Sequence, residues 1–198
     1  SLLKKYPASA GIPELKNAMI NFVNKRFDVS LDFTQIIPTF GTREVLFNFP
    51  QFALFDKKEP TIAFTNPFYQ IYEGAAYLAG ATPHFLGCTE DNNFIPDFSA
   101  VSERVWQDCQ ILYLCSPGNP TGAVTPADTL KNLIRLADKY DFIIASDECY
   151  SEIYCNEEEK PVGLLEVCEQ LGRHDYSRCI VFHSLSKRSN LPGLRSGF

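Results

Sequence analysis

Residues 111–122 read ILYLCSPGNPTG, a continuous apolar run that ends abruptly in a polar loop. Similar apolar runs occur as TIAF at 61–64, FIIAS at 142–146 and CIVF at 179–182. Runs that are continuous rather than alternating are typical of strands covered on both faces. The sequence therefore predicts a buried sheet that contains these runs as strands.

Helical segments separate the runs. Pro13 suits a first helical turn, and apolar residues then recur on one face over 13–26. Further helices are predicted over about 43–55 and 68–79, and from a Thr125-Pro126 cap to about Tyr140. The runs that start at residues 111, 142 and 179 lie 31 and 37 residues apart, about the length of a strand-helix-strand crossover. The predicted fold class is α/β: three layers, with a mainly parallel sheet and helices on both faces.

Composition and charge narrow the range of functions. A chain of 198 residues with 45% hydrophobic residues suits one large globular domain. The formal net charge of -6 argues against a nucleic-acid surface. No apolar stretch approaches the roughly 18 residues of a membrane span, and SLLKKYPASAG at the start is too short for a secretory signal. We therefore predict a cytoplasmic protein without membrane or nucleic-acid partners.

The seven cysteines form an odd set without a CxxC pair. We interpret them as reduced core residues of a cytosolic protein, and we predict no metal site. The charge run at 157–160 is interpreted as a solvated loop.

Polar side chains follow three of the runs at the points where the strands should end. Asn119 lies in the loop after 111–115, Asp147 and Tyr150 follow 142–146, and Lys187 follows 179–182. Because ligands of open parallel sheets bind beyond the carboxyl ends of the strands, these side chains should share one site. Singly, each has a structural interpretation: a turn former, a helix cap, a core residue and a solvated lysine.

Together, a carboxylate, a phenol and a lysine at successive strand ends are the set that holds a pyridine aldehyde cofactor covalently. Pyridoxal phosphate (PLP) is such a cofactor. The segment Gly41-Thr42-Arg43 begins the helix predicted over 43–55. Its exposed N–H groups could hold the phosphate.

NPTG at 119–122, SDECY at 146–150, and SLSK followed by LRSGF in 184–198 resemble, in order and spacing, motifs of the PLP-dependent aminotransferases of fold type I, classes I and II. The resemblance runs from YPASAGIPEL at 6–15 to the C-terminal turn. NPFYQIYEGAAYLAGA and LSKRSNLPGLRSGF are more specifically similar to the succinyldiaminopimelate aminotransferases. The resemblance implies a homodimeric enzyme that moves an amino group between glutamate and a 2-oxo precursor of N-succinyl-diaminopimelate, in lysine and diaminopimelate synthesis.

The resemblance also implies roles for the strand-end residues. Lys187 would bond the cofactor covalently and move the substrate proton, and Asp147 would pair with the pyridine nitrogen. Tyr150 and Asn119 would hydrogen-bond the phenolate oxygen, while Tyr69 would stack on the ring face. Tyr72 is assigned to the core or to the substrate side.

For the phosphate, the resemblance implies a helix N-terminus, hydroxyls, a guanidinium and a tyrosine lent by the partner subunit. The corresponding residues are Gly41, Thr42, Arg43, Ser184, Ser186, Arg195 and, from the partner, Tyr6. The Asn66-Pro67 and Asn119-Pro120 bonds resemble positions at which the family has cis peptides.

We interpret residues 1–198 as an incomplete cofactor-binding large domain, because the family's small C-terminal domain and its carboxylate-binding arginine do not appear in this sequence. We therefore expect the isolated chain to have little activity. An aspartate- or aromatic-type aminotransferase and a non-catalytic sensor or assembly domain remain alternatives. A serine acyl-enzyme is disfavoured, since the SxxK at 184–187 lies after YCN and just before RSG, in the wrong order.

Overall fold

The structure, a computed structural model, describes residues 4–54 and 57–198. Its helices are α1 (Pro13–Phe27), α2 (Thr42–Ala53), α3 (Ile71–Leu78), α4 (Glu103–Asp108), α5 (Ala127–Tyr140), α6 (Leu164–Gln170) and α7 (Leu185–Arg188). Its strands are β1 (Thr61–Asn66), β2 (Thr82–Gly87), β3 (Cys109–Cys115), β4 (Ile143–Asp147) and β5 (Cys179–Phe182). The four strands predicted from apolar runs are thus confirmed.

The strands form one sheet in the order β2-β1-β3-β4-β5, and every pairing is parallel. Cys115 at the end of β3 lies opposite Asp147 at the end of β4. Asp147 in turn lies opposite Phe182, the last residue of β5. The loops that follow these three strands therefore leave the sheet along one edge.

Alternate strand residues enter separate hydrophobic cores on the two faces of the sheet, as the period of two along a strand requires. Leu112 and Ile144 belong to a core that includes residues of α1, α5 and α6. Ile111 and Ala145 belong to a second core, with residues of α2 and α3. Helices thus cover both faces, which confirms the α/β class and the three-layer arrangement.

Four of these helices and strands lie where none was predicted: β2, α4, α6 and α7. β2 is an edge strand with only one buried residue, Leu86, so its sequence TPHFLG lacks a continuous apolar run. Helices α4, α6 and α7 have 6, 7 and 4 residues, too few to display a helical period clearly.

Two predicted helix starts need correction. α3 begins at Ile71, not at residue 68, because the preceding residues form a loop after the Asn66-Pro67 bond. At the start of α5, Pro126 occupies the cap position and no side chain makes a cap hydrogen bond. Thr125 therefore does not cap this helix through its hydroxyl.

The cysteines are only in part core residues. Among the seven free cysteines, Cys109, Cys149 and Cys168 are buried, whereas Cys155 is exposed. The core interpretation is wrong for Cys155, which lies in the loop after β4. The charge run at 157–160 is exposed as predicted, and its Lys160 pairs with Glu157 at 2.9 Å.

Across residues 4–54 and 57–198, no helix combines the length and apolar character needed to cross a bilayer. The same residues contain no group of three or more His, Cys, Asp or Glu side chains that could hold a metal ion.

Candidate active site

A cavity of about 340 Å³ lies at the carboxyl edge of the sheet. It brings together ten of the site residues predicted from sequence and three others. The cavity is lined by Thr42, Arg43, Tyr69, Cys115, Asn119, Asp147, Cys149, Tyr150, Ser184, Ser186, Lys187, Pro192 and Arg195.

Asp147 is the last residue of β4, and its side chain is buried. Its Oδ2 accepts a hydrogen bond from the Tyr72 hydroxyl at 2.7 Å, and its Oδ1 accepts one from the Cys149 backbone N–H at 3.3 Å. Burial raises the pKa of Asp147, although these hydrogen bonds act in the opposite direction. No Lys, Arg or His of the described residues forms an ion pair with it.

A buried carboxylate without a cationic partner is costly, and a protonated ring nitrogen would supply the missing charge. The surroundings of Asp147 therefore fit the pyridine ring of PLP.

Tyr72 is the contact of Asp147 that sequence reasoning missed. Its side chain is 1% exposed and stacks on the Tyr113 ring, with the centroids 4.7 Å apart. Burial, and then the nearby Asp147 charge, raise the pKa of Tyr72 well above its ordinary value. The hydroxyl therefore keeps its proton and donates a hydrogen bond to Asp147. Its position three residues after Tyr69 in YQIY is the signal that could have suggested a place beside the site.

Lys187 lies on α7, directly after β5, and its Nζ is 5.8 Å from the centroid of the Tyr150 ring. Both residues line the cavity with Asn119. Burial, followed by the nearby Cys115 and Asp147 charges, raises the pKa of Tyr150, which keeps its hydroxyl protonated. The amine of Lys187, the phenol of Tyr150 and the amide of Asn119 thus all border the same cavity.

Three X-Pro bonds in the segments at and after the ends of β1 and β3 are cis: Asn66-Pro67, Ser116-Pro117 and Asn119-Pro120. The first and the last are the two for which the family resemblance implied this isomer.

Hydroxyls, a guanidinium and a helix N-terminus converge at one corner of the cavity. Ser184 Oγ accepts a hydrogen bond from the Ser186 N–H at 3.0 Å, and Arg195 Nη1 donates to Ser186 Oγ at 3.4 Å. Gly41, at the start of α2, has a φ of 86°, and a Cβ there would lie 2.3 Å from Arg195 Nη2. Glycine therefore allows the guanidinium to lie against the positive end of α2, and the corner suits a phosphate.

Arg43 lines the cavity, and its phosphate role through the N-terminus of α2 stays a prediction. Its Nε donates to the Tyr69 hydroxyl at 2.7 Å, so its guanidinium is directed toward Tyr69. Thr42 Oγ1 lies 3.1 Å from Cys149 Sγ, a contact that sequence reasoning did not anticipate. Tyr6 is 100% exposed and does not line the cavity, so its partner-subunit role stays a prediction.

Comparisons with known proteins agree with this architecture. The family model described as aminotransferase class I and II matches residues 1–198. The LL-diaminopimelate aminotransferase of Aquifex aeolicus is 38% identical over 194 residues, which are 98% of this chain and 48% of that protein.

Two solved structures resemble the fold over 98% of this chain. An aminotransferase from Neisseria meningitidis has a TM-score of 0.92 and 49% identity, with 49% of its chain covered. The aminotransferase AspB from Helicobacter pylori has a TM-score of 0.91 and 47% identity, with 51% of its chain covered. The chain thus spans about half the length of the proteins it matches.

Proposed function

The chain belongs to the aminotransferases of class I and II, and on that premise we propose that its cavity binds PLP for amino-group transfer between an amino acid and a 2-oxo acid. Members of this family use PLP. The observation that carries the proposal is the placement of Asp147 and Lys187 around one cavity, after neighbouring parallel strands.

When bound, PLP supplies an electron-withdrawing ring that takes up the electron pair left as a proton leaves the α-carbon of an amino acid. Asp147 is suited to hold the ring nitrogen in its protonated form, since the buried carboxylate gains a cation there. Tyr72 and the Cys149 N–H restrict the rotation of that carboxylate. Lys187 provides an amine that can bond an aldehyde and carry a proton to or from the substrate.

Other residues of the cavity would orient the cofactor. Tyr150 and Asn119 can donate hydrogen bonds to a phenolate oxygen, and Tyr69 presents an aromatic face that Arg43 restrains. The phosphate would receive hydrogen bonds from the hydroxyls of Ser184 and Ser186, from Arg195 and from the N-terminus of α2, where Thr42 also lines the cavity.

Absorbance spectroscopy tests the proposal directly. We expect the purified protein with PLP to be yellow, and borohydride to bleach the colour and leave the cofactor attached covalently. Lys187→Met should abolish this attachment, whereas Lys131→Met, at a surface lysine of α5 paired with Asp128, should keep it. A protein that folds but acquires no colour with PLP, or retains covalent attachment in Lys187→Met, would contradict the proposal.

We further propose a diaminopimelate-type substrate, with the N-succinylated form first. The segment LSKRSNLPGLRSGF supports the succinylated form, because its sequence is similar to that of the succinyldiaminopimelate aminotransferases. The Aquifex relative, in contrast, is named for LL-diaminopimelate. Both compounds present an α-amino acid with a polar group at the distal end, so a shared class of pocket can serve either. The alternative function is that of an aspartate-type aminotransferase, for which aspartate is the substrate.

Turnover by the full-length protein, with 2-oxoglutarate as the common acceptor, separates these substrates. We expect kcat/KM for N-succinyl-LL-diaminopimelate to exceed that for LL-diaminopimelate and for aspartate by at least about tenfold, or roughly 1.4 kcal/mol. A preference for LL-diaminopimelate would move the assignment to the activity named for the Aquifex relative. A preference for aspartate would support the competing class.

We also propose that these residues form a cofactor-binding domain of a homodimeric, cytoplasmic enzyme. The complete exposure of Tyr6 leaves its hydroxyl available to the phosphate of a second copy. Sedimentation should give a dimer, and Tyr6→Phe should weaken PLP binding without changing the monomer fold. A monomer that binds PLP fully would contradict this arrangement.

A further inference from the structure

Two buried titratable side chains face each other behind the proposed cofactor site. Glu148 and His183 are 3% and 2% exposed, and Glu148 Oε2 lies 3.6 Å from His183 Nε2. Glu148 directly follows Asp147, and His183 directly precedes Ser184. Because successive strand residues point to opposite faces, the pair lies on the side of the sheet away from Asp147.

The carboxyl group of Glu148 connects three elements. Its Oε1 accepts hydrogen bonds from the Leu164 N–H at the start of α6, at 2.8 Å, and from the Ser146 hydroxyl of β4, at 3.1 Å. Its Oε2 faces His183, whose Nε2 is buried without a hydrogen-bond partner among the described residues. Gly163 leaves room for this arrangement, since a Cβ there would lie 3.2 Å from Oε2.

The surroundings of the imidazole are apolar. The rings of Phe22, Phe27 and Phe198 pack around His183 with centroids 6.0, 5.3 and 5.2 Å away. An isolated charge in such a place is costly, whereas a pair that holds one proton carries no net charge in either protonation pattern.

Three other charged side chains in the described part of the chain face the pair, and neither of the two arginines among them supplies it with a hydrogen bond. They are Arg26 of α1, Glu166 of α6 and Arg188 of α7. Arg26 is held by Glu152 at 2.6 Å and by two backbone carbonyls, and Arg188 lies over the Phe22 ring at 3.8 Å. Among the described hydrogen bonds, neither arginine donates to the pair.

We propose that Glu148 and His183 act as one buried pair that holds a single proton across the 3.6 Å between Oε2 and Nε2, and that this pair positions Asp147 and Ser184 for the proposed amino transfer. The proposal that the pair positions Asp147 and Ser184 rests on the proposed function, whereas the proposal that it holds one proton does not. Burial raises the pKa of Glu148 to about 7 and lowers the pKa of His183 to about 3. Both shifts favour the neutral forms, so the proton of the pair lies on the carboxyl group and the imidazole is neutral.

The variant Glu148→Gln tests the shared proton. Its amide keeps an acceptor for the Leu164 N–H and a donor for His183, but it cannot lose its proton near neutral pH. A carboxyl group with a raised folded pKa stabilises the protein at low pH and loses that contribution as pH rises through the folded pKa. We therefore expect the Tm of the wild type to fall relative to Glu148→Gln between about pH 4.5 and 7.

The control is Glu103→Gln, the same change at an exposed glutamate of α4, which should leave the Tm difference flat between about pH 5.5 and 7. Parallel Tm curves for the wild type and Glu148→Gln would overturn the shared proton. A loss of stability in Glu148→Gln as large as that in Glu148→Ala would overturn it as well, because the ionised carboxylate would then be the required form.

PLP affinity tests the positioning half. Glu148→Gln should keep the Kd within about twofold at pH 6, whereas Glu148→Ala and His183→Phe should raise it by about tenfold. Unchanged Kd values in folded Glu148→Ala would overturn the positioning role while leaving the Tm result intact. If the wild type itself binds no PLP, the proposed function and the positioning role fail together, and the Tm curves still decide whether the proton is shared.

Discussion

The Tyr72 hydroxyl donates a hydrogen bond to Asp147 Oδ2 at 2.7 Å, across 75 residues of sequence. Both side chains are buried, one on α3 and the other at the end of β4. A buried carboxylate has few partners, so this bond contributes strongly to its orientation. The proposed contact with a ring nitrogen therefore depends on α3 as well as on the sheet.

Tyr72→Phe should weaken PLP binding because it removes one of the donors to Asp147. A hydrogen bond to a charged group contributes about 1.5–3 kcal/mol, so we expect a roughly 10- to 100-fold higher Kd in an absorbance titration. The control is Tyr113→Phe, which loses a hydroxyl bonded to the Leu46 carbonyl at 2.6 Å, not to Asp147. Equal effects of the two variants on Kd would assign the loss to core packing.

In the full-length protein, Asp147→Asn should abolish most of the proposed activity, and in residues 1–198 it should leave the apo protein folded. Removing one partner of a buried ion pair costs about 3–5 kcal/mol, which corresponds to a loss of roughly 10²- to 10⁴-fold in kcat/KM. Because burial raises the pKa of Asp147, the apo wild type should lose stability relative to Asp147→Asn as pH rises above the ordinary value of 3.8. Thermal unfolding without PLP at several pH values measures this, and a stability difference that stays flat or changes in the opposite direction as pH rises would contradict it.

Gly41→Ala should displace Arg195 and weaken binding of the phosphate. The new Cβ would lie 2.3 Å from Arg195 Nη2, at a φ of 86°. Gly80→Ala is a matched control, since Gly80 has a φ of 77° and no atom within 4 Å of an added Cβ. Both variants should lose about 1 kcal/mol of stability, but only Gly41→Ala should raise the Kd for PLP, by about tenfold.

Gly163→Ala should destabilise the fold by overpacking. Its Cβ would lie 2.6 Å from Phe27 Cδ1, on the side of the sheet away from the cavity. Overpacking of this kind costs about 1–3 kcal/mol, measured as the free energy of unfolding in urea. Gly193→Ala, with nothing within 4 Å of its Cβ, should change stability far less. Comparable losses in both variants would show that the contact with Phe27 relaxes freely.

The sheet is predictable where its strands carry continuous apolar runs and unpredictable at β2, which carries none. β1, β3 and β4 have such runs because helices cover both of their faces, and the short run of β5, at the edge opposite β2, ends in the buried Phe182. β2 pairs with one neighbour only and exposes most of its side chains. Its pairing with β1 follows from backbone hydrogen bonds, which leave no apolar pattern in the sequence.

The site is predictable in composition and less so in contacts. Polar residues directly after strands had to reach one edge of a parallel sheet, which brings Asn119, Asp147, Tyr150 and Lys187 to the cavity. The direction of Arg43 toward Tyr69 was not predictable, since a long side chain at a helix start has several rotamers of similar energy.

The sequence alone determined the α/β class, the parallel strands and the residue types at their carboxyl ends. These follow from local patterns: uninterrupted apolar runs, crossover lengths and the polar residues that end each strand. Only the tertiary structure decided that Tyr72 reaches Asp147 and that Glu148 faces His183. Such contacts depend on how helices rotate against the sheet and on which face each strand residue takes, and no short stretch of sequence records that geometry.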